Sequence, residues 1–396
     1  MNYVIIGNGM AGLSAAEEIR KNDNEGRIII IGGEEYLTYN RVKLSHFISK
    51  KEYSIKELLV HDENWYKERA IEVLLNTKVI NIDTNSKEVI TDTTEKIQYD
   101  KLLIANGSSP FIPPISGVDK KGVFALRTIE NLIDIQNRAE KCSTVSVIGG
   151  GLLGLEAAWA LNQLGKKVNI IEFSPYLLPR QLDEELGNYL QQQLEKEGLN
   201  FYFNAAAQEI IGDGMVSGIK LKDERIIESD LVLISTGVRS NINIAQGTDI
   251  KVDRGIVVDK YMKTNVDSIY AAGDIAQYDG LVLALWSTAM DQGKVAGANM
   301  WGDEREYKMP KPAATLLIGN TKMFSVGNVS KGEKEIKIQG DNHFHKLFID
   351  GGKLIGGVLT GDIRKMVVLK KSVNENVDIS DALDKYITGE EILDSL

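Results

Sequence analysis

The sequence predicts an α/β chain, because the order strand, glycine-rich turn, helix, strand occurs in it twice, each time ending on an acidic residue. A third observation completes the prediction. After Met309 the chain changes to five short strands (ATLLIG, KMFSVGNV, KEIKIQ, FHKLFI and LIGGVLT) followed by two helices, the pattern of a small α+β unit. The predicted fold class is therefore α/β, with two Rossmann-like dinucleotide-binding domains and a small α+β C-terminal domain.

The first copy starts at the N-terminus. NYVII (2–6) is an apolar strand, GNGMAG (7–12) a turn, SAAEEIRK a helix pattern, and RIIII (27–31) a second buried strand. Gly7 permits the tight turn, Gly9 lets backbone approach a pyrophosphate, and Gly12 lets the helix pack closely; Met10 and Ala11 complete the turn. The helix N-terminus supplies N–H donors and a positive dipole end. Glu34 or Glu35, just past the second strand, can bond ribose hydroxyls.

The second copy, VSVIGGGLLGLEAAWALNQLGKKVNIIEF, spans 145–173. Gly149, Gly151 and Gly154 repeat the spacing, Leu153 lies inside the turn, and Glu172 closes the second strand. Two modules imply two dinucleotides, and the pair expected is a tightly held flavin, FAD, with an exchanging nicotinamide. A carboxylate at Glu172 accepts bonds from a 2′-hydroxyl and repels a 2′-phosphate, so NADH is preferred over NADPH, although Arg180 follows nearby.

Composition bounds the alternatives. The chain has 396 residues, 43% hydrophobic and 26% charged, and a net charge of −10, which argues against a nucleic-acid partner. No apolar run reaches the roughly 18 residues that span a bilayer, and Met1 opens directly onto a strand, so a cytoplasmic chain with no membrane partner is expected. The single cysteine, Cys142, cannot form an internal disulfide or a CxxC pair and is read as structural. The four histidines give no metal-ligand spacing, and His343 and His345 are read as alternate positions on a strand face. No metal site is predicted. Redox chemistry then falls to a bound organic cofactor.

The motif order GNGMAG, LLIANGSSP (102–110), the second glycine turn, LISTGVRSN (233–241) and DSIYAAGDIA (267–276) resembles the FAD-dependent pyridine nucleotide oxidoreductases over about 300 residues. Within that family, YNRVKLS, RTIENL and GGGLLGLEAA look most like the NADH:rubredoxin oxidoreductases and the N-terminal FAD/NAD module of nitrite reductase large subunits. The chain's end at Leu396 and its one cysteine favour the stand-alone reductases. The resemblance implies a three-layer ββα character for the dinucleotide domains. It assigns 1–109 and 236–308 to an FAD-binding domain, 110–235 to an NAD-binding domain, and 309–396 to the C-terminal domain.

The resemblance also implies site roles. Asp274, after Gly273, would bind the flavin ribitol; Val79 would meet adenine through its backbone; Ala105, Asn106, Gly107 and Gly237 would line the dinucleotide sites. Relatives usually carry ATG where this chain has Ala105-Asn106-Gly107. Arg41, in TYNRVKLSHFIS (38–49), would contact FAD, where an Arg can pair with pyrophosphate oxygens. Glu156 matches the family glutamate near the nicotinamide carboxamide. His46 either tunes the flavin or caps the following helix. Trp286 either covers the flavin ring or packs in the core.

The chemistry expected is hydride transfer from NADH to FAD. Relatives that reduce disulfides carry a redox cysteine near residues 44–47, where this chain has Leu44, Ser45, His46 and Phe47. Electrons would therefore pass to a small carrier such as a rubredoxin, from a monomer or homodimer. Eleven Lys and Arg stand against five Asp and Glu between Met309 and Lys371, so Lys331, Lys334 and Lys337 either steer an acidic carrier or form an ordinary solvated face. The alternatives are an NADH oxidase producing hydrogen peroxide, a reductase component for a nitrite-reductase-like or other carrier partner, and a slow flavin-containing redox sensor.

Overall fold

The computed structural model describes every residue except Lys331, Tyr386 and Ile387. Packing divides the chain into two compact units: Met1–Leu44, Lys51–Phe111 and Val238–Met309 form the first, and Ser45–Lys50, Ile112–Gly237 and Pro310–Leu396 the second.

The first unit is built on a five-stranded sheet in the order Ile269–Ala271, Lys101–Ile104, Asn2–Ile6, Arg27–Ile31, Ile71–Leu74, parallel throughout. Strands such as RIIII are apolar at consecutive positions because helices and a second sheet cover both faces of a parallel sheet. The helices Met10–Asn22 and Trp286–Trp301 cross closely on one face. That closeness needs small residues: a Cβ on Gly293 would lie 2.3 Å from the Ala11 carbonyl oxygen, and one on Gly297 2.5 Å from that of Ala15. An antiparallel sheet of Val79–Asp83, Glu88–Thr91 and Lys96–Gln98 supplies the third layer.

The second unit repeats this plan. Its parallel sheet runs Leu199–Tyr202, Lys167–Ile171, Thr144–Ile148, Leu231–Ile234, Val123–Phe124. A three-stranded antiparallel sheet follows it, Ala207–Ile211, Gly218–Leu221 and Ile226–Glu228. The α/β fold with two Rossmann-like sheets is thus as the sequence predicts. Among the described residues, no helix is long and apolar enough to cross a membrane.

The same unit carries the C-terminal antiparallel sheet, ordered Ala313–Ile318, Thr321–Gly327, Lys353–Thr360, Phe344–Asp350, Lys334–Gln339. All five strands expected from the sequence form. Three helices follow rather than two: Met366–Glu375, Ser380–Lys385 and Gly389–Ser395. Asn376, left-handed at φ 49°, ends the first. Thr388 opens the last with a capping box to Glu391, so both missed boundaries carry local signals.

His345 lies buried in this sheet, its ring stacked at 4.6 Å on His343 and its Nδ1 accepting from the Thr360 N–H at 3.3 Å. Burial, and then the neighbouring His343, push its pKa down to about 4 from 6.5. A depressed histidine contributes stability above its unfolded pKa and loses it as pH falls through the folded one. Strand Phe344–Asp350 should therefore weaken between pH 6.5 and 4, by on the order of 3 kcal/mol. Protection factors of that strand, referred to the intrinsic exchange rate at each pH, should fall over this range, and His345→Asn should flatten the response.

Candidate functional site

The first glycine turn is shaped by two close approaches. Gly7 holds φ +117° and donates its N–H to Ile31 O at 2.8 Å; a Cβ there would lie 2.1 Å from Ala105 O. A Cβ on Gly12 would lie 2.1 Å from Gly7 O, so the helix can sit on the turn only without one. Gly9 caps the helix N-terminus with no side-chain bond, and nothing lies within 4 Å of where its Cβ would be. Met10 opens the helix half-buried, and Ala11 is buried beneath it.

The second turn reproduces this geometry. Gly149 has φ +108° and would clash with Ser235 O at 2.3 Å; Gly154 would clash with Gly149 O at 2.1 Å. Gly151 caps its helix with no side-chain bond and open space at its Cβ position, and Leu153 beside it is 39% exposed. Each turn thus leaves helix N–H donors without a side-chain cap beside open space, a cradle that fits the pyrophosphate of a dinucleotide.

Strands Lys101–Ile104 and Leu231–Ile234, each paired with the first strand of its glycine module, end on matching turns. Ala105-Asn106-Gly107 and Ser235-Thr236-Gly237 both finish on a positive-φ glycine, at 68° and 95°. The Asn106 side-chain N–H donates to Asn241 O at 3.0 Å and the Asn241 side chain returns a bond to Asn106 O at 2.9 Å. The Asn106 side-chain N–H is therefore committed to bracing the chain, while its Oδ1 is buried with no hydrogen-bond partner.

The acidic tips are oriented by different means. Glu34 accepts from the Tyr39 hydroxyl at 2.6 Å and the Arg41 guanidinium at 2.5 Å, and Arg41 also donates to the Tyr39 hydroxyl at 2.7 Å. The structure therefore joins Arg41 to Glu34, whereas Glu35 points to solvent. Glu172 is held by backbone alone: Gly150 N–H donates to one oxygen at 2.6 Å and Ser174 N–H to the other at 2.7 Å.

Asp274 accepts from the Ser108 hydroxyl at 2.7 Å, and its carbonyl accepts from Ser240 at 2.6 Å. Gly273 N–H donates to the buried Gln292 at 2.9 Å, and a Cβ on Gly273 would lie 3.0 Å from that of Ala11. Val79 begins its strand half-buried against the core. Trp286 is the first residue of its helix, half-buried, behind an N-cap, Leu285, that offers no side-chain bond.

In the second unit Glu156 projects from helix Leu152–Gln163 and accepts from Ser45 Oγ at 2.8 Å. Ser45 is fully buried, whereas His46 is exposed. Burial pushes the Glu156 carboxyl above the usual range, against the opposing effects of the Ser45 bond and His46. Gln136 fixes the segment behind Ser45, donating to Phe47 O at 2.9 Å and Lys50 O at 3.0 Å. Cys142 is buried and donates to Arg138 O at 3.0 Å, and burial raises its pKa. Among the described residues, no cluster of three His, Cys, Asp or Glu could hold a metal.

Sequence reasoning missed Ser45, Ser108, Ser240, Tyr39 and Gln136. Ser108 directly follows Gly107, a usable signal; Ser45 meets Glu156 across 111 residues, with none. The basic stretch also changes. Lys337 is paired with Glu185 at 2.6 Å, Lys334 opens its strand exposed, and Lys331 lies outside the described residues.

Residues 1–293 match the pyridine nucleotide-disulphide oxidoreductase family, and 312–377 match the rubredoxin NAD+ reductase C-terminal domain. Nitrite reductase (NAD(P)H) of Bacillus subtilis is 39% identical over 96% of this chain and 48% of its own length. The chain spans about half the length of this and a second Bacillus subtilis relative, the assimilatory nitrate reductase electron transfer subunit. NADH-rubredoxin oxidoreductase of Clostridium acetobutylicum is 31% identical over 99% of this chain and 98% of its own. The crystal structure of NADH:rubredoxin oxidoreductase from Clostridium acetobutylicum superposes with a TM-score of 0.84 and 29% identity, covering 100% of this chain and 99% of that one. With the two cradles in place, these matches establish that the chain belongs to the pyridine nucleotide-disulphide oxidoreductase family, which uses FAD and NADH.

Proposed function

We propose that the chain is an NADH-dependent reductase of a small one-electron carrier, of which a rubredoxin is the type. The observation that carries this reading is Ser45, buried and bonded to Glu156 beside the second cradle: it falls within residues 44–47, where the resemblance puts the redox cysteine of disulfide-reducing relatives, and Cys142 is buried elsewhere. The match of residues 312–377 to a rubredoxin NAD+ reductase C-terminal domain supports it. FAD, when bound, supplies the redox chemistry, taking two electrons from NADH and releasing them singly.

The chain's own residues bind and orient. In the first unit the Gly7–Gly12 turn would hold the FAD pyrophosphate on the helix N-terminus, and Glu34 would take a ribose hydroxyl while Arg41 and Tyr39 hold its carboxylate in place. Asp274, fixed by Ser108 and Ser240, would meet the ribitol. Val79, Ala105, Asn106, Gly107, Gly273 and Trp286 would complete that site. In the second unit the Gly149–Gly154 turn, Leu153 and Gly237 would hold NADH, and Glu172 would accept from its 2′-hydroxyl. The two backbone bonds to Glu172 fix the direction of its carboxylate, which would oppose a 2′-phosphate and favour NADH. Glu156 would orient the nicotinamide carboxamide, with Ser45 setting its rotamer and His46 on the exposed side.

The half-length match to the Bacillus subtilis proteins supports a second reading, electron delivery to a nitrite-reductase-type partner. One assay separates the readings. Purified protein with NADH is offered rubredoxin, ferredoxin, oxygen and a nitrite-reductase partner domain in turn. Rubredoxin reduction should outpace oxygen consumption; peroxide formation as fast as the best carrier rate would replace the proposal with an NADH oxidase.

Glu156 makes a separate prediction. A carboxyl whose folded pKa is raised contributes stability below its unfolded pKa and loses it as pH rises through the folded value. Glu156→Gln removes the burial cost of the charge. Its thermal midpoint relative to the wild type should be higher at pH 8 than at pH 4, while its KM for NADH rises. A gap that is constant with pH would mean that Glu156 is not held above the ordinary carboxylate range.

A further inference from the structure

One buried charge has no part in the reading above. Lys346, on strand Phe344–Asp350 of the C-terminal sheet, has a side chain only 2% exposed. Its Nζ lies 2.5 Å from Asp183 Oδ2, 2.6 Å from Glu185 Oε2 and 3.9 Å from Glu335 Oε2. Burial acts to lower its pKa, but the bonds to Asp183 and Glu185 outweigh that, so the ammonium stays charged. Asp183 is in turn the N-cap of helix Glu184–Lys196, its second oxygen accepting from Leu186 N–H at 2.9 Å. A second tie from the same sheet lies alongside, Ser325 Oγ donating to Gln181 O at 2.6 Å.

Both ties end on residues 173–183, the segment that leads from Glu172 to that helix. The segment's other side reaches the second glycine turn. A Cβ on Gly150 would lie 3.2 Å from the Leu177 side chain and 3.0 Å from Glu172 Oε2. Leu177 and Leu182 are fully buried, and Tyr176 crowds Gly187 of the helix so closely that a Cβ there would lie 2.6 Å from its ring. A continuous packed path thus runs from the C-terminal sheet to the backbone N–H that holds Glu172.

We propose that Lys346 is a positioning residue for the nicotinamide dinucleotide: by anchoring Asp183 it fixes residues 173–183 against Gly150, and so the C-terminal sheet sets affinity in the neighbouring Rossmann-like sheet. The inference rests on the assignment of the second glycine turn to NADH. An ammonium suits this task better than an apolar side chain of its size, because its bonds fix the rotamer of an N-cap carboxylate as well as filling space.

The test uses the FAD-loaded protein and NAD+, whose binding by calorimetry requires no turnover. Lys346→Met should weaken NAD+ binding by about fivefold or more, raise KM for NADH more than it lowers kcat, and accelerate hydrogen exchange at residues 174–182. Lys346→Arg should restore most of the affinity, and Ser325→Ala should give a smaller loss of the same kind. Wild-type affinity in a folded Lys346→Met protein would overturn the inference. Should Lys346→Met fail to fold, unchanged affinity and exchange in Ser325→Ala would overturn it instead. Failure of the wild type itself to bind NAD+ would sink the assignment of the turn, a separate outcome.

Discussion

A helix can rest on a strand–turn only where neither carries a Cβ at the point of contact, and this constraint organises both dinucleotide cradles. A Cβ on Gly12 would lie 2.1 Å from Gly7 O and one on Gly154 2.1 Å from Gly149 O, and each of these contacts sets where a helix N-terminus points. The rest of each cradle is placed relative to that contact. The end of the neighbouring strand, at Ala105 or Ser235, lies where a Cβ on the first glycine would strike it. An added methyl group would have to move either the helix or the sheet, and both are packed on buried strands with no slack.

Given that scaffold, the chain prepares its carboxylates before any ligand arrives. Glu34 is fixed by side chains, Glu172 by backbone N–H groups, and Asp274 by the Ser108 hydroxyl, with Ser240 holding its main-chain carbonyl. Each keeps acceptor capacity while its direction is set, so little ordering remains to be done on binding. Glu156 differs. Its single bond to Ser45 does not offset its burial, and its carboxyl holds a proton to higher pH than usual. The C-terminal sheet extends the same logic, with Lys346 orienting Asp183 and through it the segment behind Glu172.

Much of this was legible in the sequence because it is local. The glycine spacing, the apolar strands flanking it and the acid at the strand end all lie within about thirty residues, and backbone geometry allows few other outcomes. The five C-terminal strands were legible for the same reason. The third terminal helix is also marked in the sequence, by Asn376 and the Thr388 capping box. What could not be read are contacts between distant segments. Nothing local to Ser45 points at Glu156, and nothing in Asn106 says that its side-chain N–H will be spent on Asn241. The same holds for charge: Lys337 counts toward a basic surface in the sequence, and only the structure shows it paired with Glu185 of helix Glu184–Lys196.

The central claim is that each glycine turn serves one dinucleotide, and that its close helix contact is what builds the site. The direct measurement is flavin content and NAD+ affinity in two single variants, Gly12→Ala and Gly154→Ala. The account predicts separable losses: Gly12→Ala should lose FAD, and Gly154→Ala should keep FAD but lose NAD+ binding. Retention of FAD by Gly12→Ala together with full NAD+ affinity in Gly154→Ala would contradict it.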